Sequence, residues 1–293
     1  MAIYDFTDPG DLLAPIIVAA MDGWVDAGTA ATTAAQHLAA DGEVVVTFDG
    51  DALFDYRARR PTLEIVDGAL AELTWPDLTV RRARHDGRDL LVLTGAEPDF
   101  RWHAFTTAVL EIAERTGAAQ WVSLGAIPAA VPHTRTVPII GTASRDGLLR
   151  ADVRPGPVGM LRVPSAALSV LEMQIARTSI PAVGYFAQIP HYTSGPYPAA
   201  AAELLRVVGR HLAIEPPLGD LPEEARQLRA RLDLAAGADE TTRAYVERLE
   251  AMVDEERLPS GDDLIGEIER FLRDQGGGAG RSGGTGGEGG PRG

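Results

Sequence analysis

Along the first two-thirds of the chain, short unbroken apolar runs alternate with longer stretches of helical spacing. Pro15-Ile16-Ile17-Val18-Ala19-Ala20 has the pattern of a strand buried on both faces. Asp26 is a good N-cap for a predicted helix over Ala27–Ala40, a segment dominated by Ala and Thr that must lie close to whatever it packs on. Glu43–Phe48 and Asp89–Thr94 read as further strands, as do Trp121–Leu124, Val137–Thr142 and Ala182–Ala187. Glu64–Val66 and Leu78–Arg84 carry charge into their alternation, which predicts strands near an edge. Helical spacing places Phe105, Val109, Ile112 and Ala113 on one face of Trp102–Thr116, and predicts helices over Ser165–Thr178 and Ala199–Leu212. This alternation predicts an α/β fold, a mostly parallel sheet with helices on both faces.

The pattern changes at Pro216-Pro217. Between Asp220 and Asp274 there are 16 acidic residues against 8 Arg. Tyr245, Val246, Leu249, Met252 and Val253 share one helical face, and Leu264, Ile265, Ile268, Phe271 and Leu272 share another. From Gly276 the chain is Gly-rich with nothing apolar to bury. The expected organisation is an α/β core over 1–215, an acidic helical extension over 216–274 and a disordered tail over 275–293. Gly278-Ala279-Gly280-Arg281-Ser282-Gly283 spells a dinucleotide fingerprint, but no strand precedes it and no helix follows.

Charge and composition narrow the chemistry. The net charge of −15 leaves no electrostatic footprint for nucleic acid or an anionic membrane. All 27 basic residues are Arg. Without Lys there is no P-loop lysine, no Schiff base to pyridoxal phosphate and no kinase strand lysine. Without Cys there are no disulfides, thiolate metal sites or thiol nucleophiles, in keeping with a cytoplasmic address. The acidic N-terminus is not a signal peptide, and no apolar stretch reaches the length of a membrane span. No cofactor is expected.

Polar residues gather in the loops that follow strands: Asp22, Trp24 and Asp26; then Glu97, Asp99 and Arg101; then His133 and Arg135; then His191 and Tyr192. In an open parallel sheet these loops share the end where ligands sit. Each residue also has a plainer reading. Asp26 caps its helix, Glu97, Asp99 and Arg101 form a salt-linked turn, His133, Arg135 and His191 bond their own loops, and Trp24 packs. No HExxH or paired His marks a metal site, and no Gly-x-Ser-x-Gly elbow presents a nucleophile. Asp22 and Asp26 would repel a phosphate from the first helix N-terminus.

Taken together, Met21-Asp22-Gly23-Trp24-Val25-Asp26-Ala27-Gly28, Gly95-Ala96-Glu97-Pro98-Asp99-Phe100-Arg101-Trp102, Pro132-His133-Thr134-Arg135 and Pro190-His191-Tyr192 resemble the PAC2 family of proteasome assembly chaperone-like proteins, nearest its bacterial, actinobacterial-type branch. The resemblance spans roughly residues 10–215. It implies a phosphorylase/hydrolase-like α/β core, a homo-oligomer, and a non-catalytic assembly factor whose partner is the 20S proteasome. The small-residue helix Ala27–Ala40 is a second reason to expect subunit packing. The hydrophobic-Tyr-X tail with which such chaperones dock has no counterpart in Gly290-Pro291-Arg292-Gly293, so an assembly role would need another surface, such as the acidic helices after Asp220. A carboxylate–amine ligase activity, also attached to the bacterial branch, normally needs a phosphate-binding Lys. The competing reading is a hydrolase- or phosphorylase-like enzyme or ligand sensor, its pocket built from Glu97, Asp99, Arg101, His133, Arg135 and His191.

Overall fold

The computed structural model describes residues 3–157 and 159–257. The elements run β1 (Tyr4–Phe6), β2 (Ile16–Met21), a 3-10 turn (Ala27–Thr29), α1 (Ala30–Ala39), β3 (Glu43–Phe48), α2 (Gly50–Leu53), β4 (Thr62–Val66), β5 (Ala69–Thr74), β6 (Leu78–His85), β7 (Arg88–Gly95), α3 (Trp102–Arg115), β8 (Gln120–Ala129), β9 (Ile139–Ala143), β10 (Arg154–Pro155), α4 (Ala167–Ile175), β11 (Ala182–Pro190), α5 (Pro198–Leu212), α6 (Leu221–Ala238) and α7 (Glu240–Arg257). The helical face over Leu264–Leu272 and the Gly-rich segment lie outside the described residues.

Nine strands form one sheet in the order β1-β3-β6-β7-β2-β8-β11-β9-β10. The four central strands β7, β2, β8 and β11 are parallel. The expectation of a mostly parallel sheet is corrected at both sides, because β1, β3 and β6 add antiparallel to β7, and β9 adds antiparallel to β11. Connection length explains this. Asp86-Gly87, at φ 49° and 80°, closes β6 onto β7 as a two-residue hairpin, which admits only antiparallel pairing. Between β8 and β9 there is no helix to carry the chain back across the sheet, so β9 runs the opposite way. β6 therefore sits inside the sheet rather than near its edge. β4 and β5 form a separate two-stranded ribbon.

The core is two apolar layers divided by the sheet. Ile16, Val18 and Ala20 of β2 face one layer with α1 and α5, while Ile17, Ala19 and Met21 face the other with α3 and α4. Leu90 and Val92 against Leu91 and Leu93 do the same on β7. The small residues of α1, Ala30, Ala31, Ala34 and Ala35, are buried in the layer that holds Ala200, Ala201 and Ala202 of α5. That face is consumed inside the chain rather than offered to another subunit. The predicted helix over Ala27–Ala40 also starts later, since Gly28 and Thr29 are left-handed (φ 61° and 48°) and α1 begins at Ala30. No helix among the described residues is long and apolar enough to cross a membrane.

Gly95 ends β7 and turns the chain into the loop that carries Glu97 and Asp99. Its φ is +140°, and a Cβ would lie 2.2 Å from the Asp77 carbonyl oxygen. Gly95→Ala is expected to lower stability by about 3 kcal/mol, since both backbone strain and a backbone clash resist it. Denaturant unfolding of the purified variant measures this directly.

Candidate functional site at the strand ends

The loops leaving β2, β7, β8 and β11 carry the ten candidate residues, and the fold sorts them into two networks with Trp24, Asp26 and Arg101 apart from both. The first forms around Arg59, in the segment after α2. Arg59 Nη1 donates to Asp22 Oδ1 at 2.8 Å, and its Nε lies 3.5 Å from Asp99 Oδ1. Asp22 Oδ1 also accepts from the Glu97 amide at 3.0 Å, and Asp99 Oδ2 accepts from the Asp55 amide at 2.8 Å. Glu97 points away from both, and its Oε1 accepts from the Ala167 amide at 2.7 Å. It thus caps α4, which has no side-chain cap of its own, from seventy residues away. Gly23 makes room for this, because a Cβ there would lie 2.7 Å from Glu97 Oε2. Arg59 lies beyond α2 and before the ribbon, so it does not stand in a loop directly after a strand, where candidate residues are sought.

Asp26 is buried and serves as a cap. Its Oδ1 accepts from the Ala31 amide at 2.7 Å and the Thr32 amide at 3.2 Å, reaching over the 3-10 turn to the start of α1. Burial raises its pKa, against hydrogen bonds from Thr32 and Ala31 that lower it. Trp24 is 59% exposed, with more than half of its surface left to solvent. Arg101 is left-handed at the start of α3 with an exposed side chain, outside both networks.

The second network holds His133, Arg135, His191 and Tyr192, and its other half comes from α6 and α7. The Tyr192 hydroxyl accepts from the His133 amide at 2.8 Å, so its proton is free to be donated to His133 Nδ1 at 2.7 Å. That leaves the proton of His133 on Nε2, which donates to Asp233 of α6 at 3.1 Å. Arg135 makes a two-pronged contact with Asp254 at 3.0 and 2.7 Å, and its Nη1 reaches Glu250 at 3.1 Å. The Thr134 hydroxyl donates to the same Glu250 carboxylate. His191 Nδ1–H donates to the Ala129 carbonyl at 3.1 Å, and its Nε2 accepts from Tyr245 of α7 at 3.2 Å. His133, Tyr192, His191 and Tyr245 meet edge to face, with centroids 5.7 to 6.2 Å apart. Arg229 of α6 completes the clamp, donating to the His133 carbonyl at 3.2 Å and to Asp233 at 3.0 Å.

The acidic helices therefore do not stand away from the core. They lie over the ends of β8 and β11, with Leu221, Val246 and Leu249 buried beneath them. Asp233, Tyr245, Glu250 and Asp254 belong to the site, and the sequence marked only Tyr245, as one apolar position of a helix face. Beside the network, between α5 and α6, lies a cavity of about 400 Å³ lined by His133, Arg135, Tyr197, Arg206 and Arg229. Burial pushes the Tyr197 hydroxyl up to about 12. Among the described residues no group of His, Asp and Glu is arranged to hold a metal ion.

Burial pushes His133 below its ordinary 6.5, against the Asp233 contact that raises it, and burial likewise lowers His211. The unfolded chain takes up these protons near 6.5 while the folded chain resists them. Stability is therefore fully present above that pH and declines as pH falls below it. Thermal melts from about pH 7.5 down to about pH 5.5 are expected to show a falling Tm, and His133→Gln should make that fall shallower.

The PAC2 family profile matches residues 20–236, a span that runs through the strand-end loops and α6. No curated protein matches the sequence. A Mycobacterium tuberculosis protein of unknown function superposes with a TM-score of 0.81 at 35% identity, covering 87% of this chain and 91% of that one. A proteasome-assembly chaperone homologue from the same organism gives 0.71 at 35% identity, covering 79% of this chain and 99% of that one. A PAC2 family protein from Streptomyces avermitilis gives 0.71 at 35% identity over the same 79% and 99%. The matched span, together with these identities, shows that the chain belongs to the PAC2 family.

Proposed function

We propose that this protein is a non-catalytic assembly factor that works through protein surfaces in the cytoplasm, with 20S proteasome subunits as its partner. The observation that carries the reading is the fate of the strand-end residues. His133, Arg135, His191 and Tyr192 are turned onto Asp233, Tyr245, Glu250 and Asp254 of the chain's own helices, and Asp22 and Asp99 onto Arg59. Groups held this way anchor helices and loops. The family, and a 35% identical relative described as a proteasome-assembly chaperone homologue, supply the partner class. Glu224, Glu247 and Glu255 are exposed on α6 and α7 and give the surface its acidic character. Affinity purification from the native host is expected to enrich 20S subunits. Reversing all three charges (Glu224→Arg, Glu247→Arg, Glu255→Arg) should cut that enrichment about tenfold, the equivalent of ~1.4 kcal/mol. A wild-type chain that captures no proteasome subunit, in a host whose proteasome assembles normally without it, defeats the reading.

The cavity between α5 and α6 favours a second reading, a ligand sensor. Arg206, Arg226 and Arg229, paired with Glu203, Glu223 and Asp233, line it together with Val137, Leu228 and Leu232, a setting for a small anion with an apolar body. Of the residues in the pocket expected from sequence, His133 and Arg135 line it, while Glu97, Asp99, Arg101 and His191 take no part. A thermal-shift screen of carboxylated and phosphorylated metabolites should raise Tm for wild type and not for Arg229→Ala. A flat screen removes this reading and leaves the first untouched.

A further inference from the structure

A second cavity lies at the end of the sheet opposite the strand-end loops. It measures about 620 Å³ and opens where the end of α1, the start of β3, the end of β6 and the linker from α5 to α6 meet. Hydrogen bonds fasten its walls to one another. The Asp86 carboxylate, in the turn between β6 and β7, accepts from the Glu215 amide of the linker at 2.7 Å. His37 Nδ1–H donates to the Pro217 carbonyl at 3.1 Å, and His85 Nε2–H to the Leu38 carbonyl at 2.8 Å. Arg81 Nη1 donates to the Gly42 carbonyl at 3.0 Å. A cavity held in this way is formed before any ligand arrives, which lowers the cost of binding one.

The bonds that close the walls leave acceptors over. A carbonyl can only accept, so each neutral histidine commits its one N–H to the wall. The other ring nitrogen, Nε2 of His37 and Nδ1 of His85, keeps a lone pair with no partner among the described residues. Asp41, Glu43 and Glu215 line the same cavity at its exposed rim, and their carboxylates are likewise unpaired among the described residues. The C-terminal, partly negative end of α1 adds to them. Two arginines stand on the other side of the balance. Arg82 is already committed, donating to the Pro9 and Asp11 carbonyls and lying 3.6 Å from Asp89. Arg84 makes no ion pair among the described residues. Three free carboxylates, two free imidazole nitrogens and one free guanidinium favour a cation.

A single metal ion is not that cation, because no His, Asp and Glu among the described residues are grouped closely enough to hold one. Acceptors standing apart are satisfied together only by a ligand whose N–H donors are spaced along a chain. We infer that this cavity binds a small organic polyamine, its ammonium groups divided between the carboxylates of Asp41, Glu43 and Glu215 and the free nitrogens of His37 and His85. The site shares no residue with the cavity between α5 and α6 or with the acidic surface of α6 and α7, so it stands independently of both functional readings.

Equilibrium dialysis of the full-length chain against labelled spermidine, with magnesium in excess, tests this. The wild type is expected to bind a single equivalent with a Kd below about 100 μM. Asp41→Asn, Glu43→Gln and Glu215→Gln together should weaken binding about tenfold or more, with circular dichroism unchanged. Removing the same charge elsewhere, by Glu224→Gln, Glu247→Gln and Glu255→Gln, should leave the Kd within about twofold. Arg84→Gln removes the one like charge at the site and should tighten binding about threefold. A wild type that retains no spermidine overturns the inference. So does binding that magnesium abolishes or that both triple variants weaken equally, since either marks attraction to net charge alone. Binding that survives the cavity substitutions, or that Arg84→Gln weakens, overturns it as well.

Discussion

Burial of β2 on both faces is the constraint from which the rest of this structure follows. All six of its residues are withdrawn from water, alternately into two layers, so β7 and β8 must flank it and helices must cover it above and below. Four parallel strands then release their loops at one end of the molecule. Polar side chains in those loops stand next to a sheet that excludes water, and each needs a partner there. One half of that end is satisfied by Arg59, the other by α6 and α7, which reach the His191 loop from 54 residues away and His133 from 96 or more.

The absence of lysine has a structural counterpart in how the acidic chain is tied together. Arg59 spans Asp22 and Asp99, and Arg135 spans Glu250 and Asp254, in each case joining elements distant in sequence. A planar guanidinium presents several donors at fixed angles, so one side chain can hold two carboxylates, which an ammonium does less well. These pairs are partly exposed and each adds little stability. Their effect is positional, deciding which loop lies beside which helix, while Leu221, Val246 and Leu249 supply the apolar burial beneath.

A PAC2 core of this kind separates its duties by surface. The central strands hold the fold, the strand ends hold α6 and α7, and the outward sides of those helices carry the acidic charge through which a partner is proposed to be met. The cavity lined by His37 and His85 lies at the other end of the sheet, outside all three.

The sequence alone determined the elements whose signal is local. The continuous apolar runs of β2 and β7, the helical spacing of α3 and α5, and Asp26 as a cap are all set by periodicity and by residues within a turn of one another. Asp86-Gly87, which lays β6 antiparallel to β7, and Asp67-Gly68, which closes the separate ribbon, are local turn signals too, and a reading of apolar runs and helical spacing passes over both. The resemblance carried by four short loops was enough to reach the family. Tertiary structure decided what no local pattern encodes: that Glu97 caps a helix seventy residues away, and that His133 and Arg135 face Asp233, Glu250 and Asp254 rather than Glu97 and Asp99. Periodicity reports which face of an element is buried. Which polar residues share an end of the sheet depends on how two layers stack and where the last two helices find cover, and that is settled by packing across the whole chain.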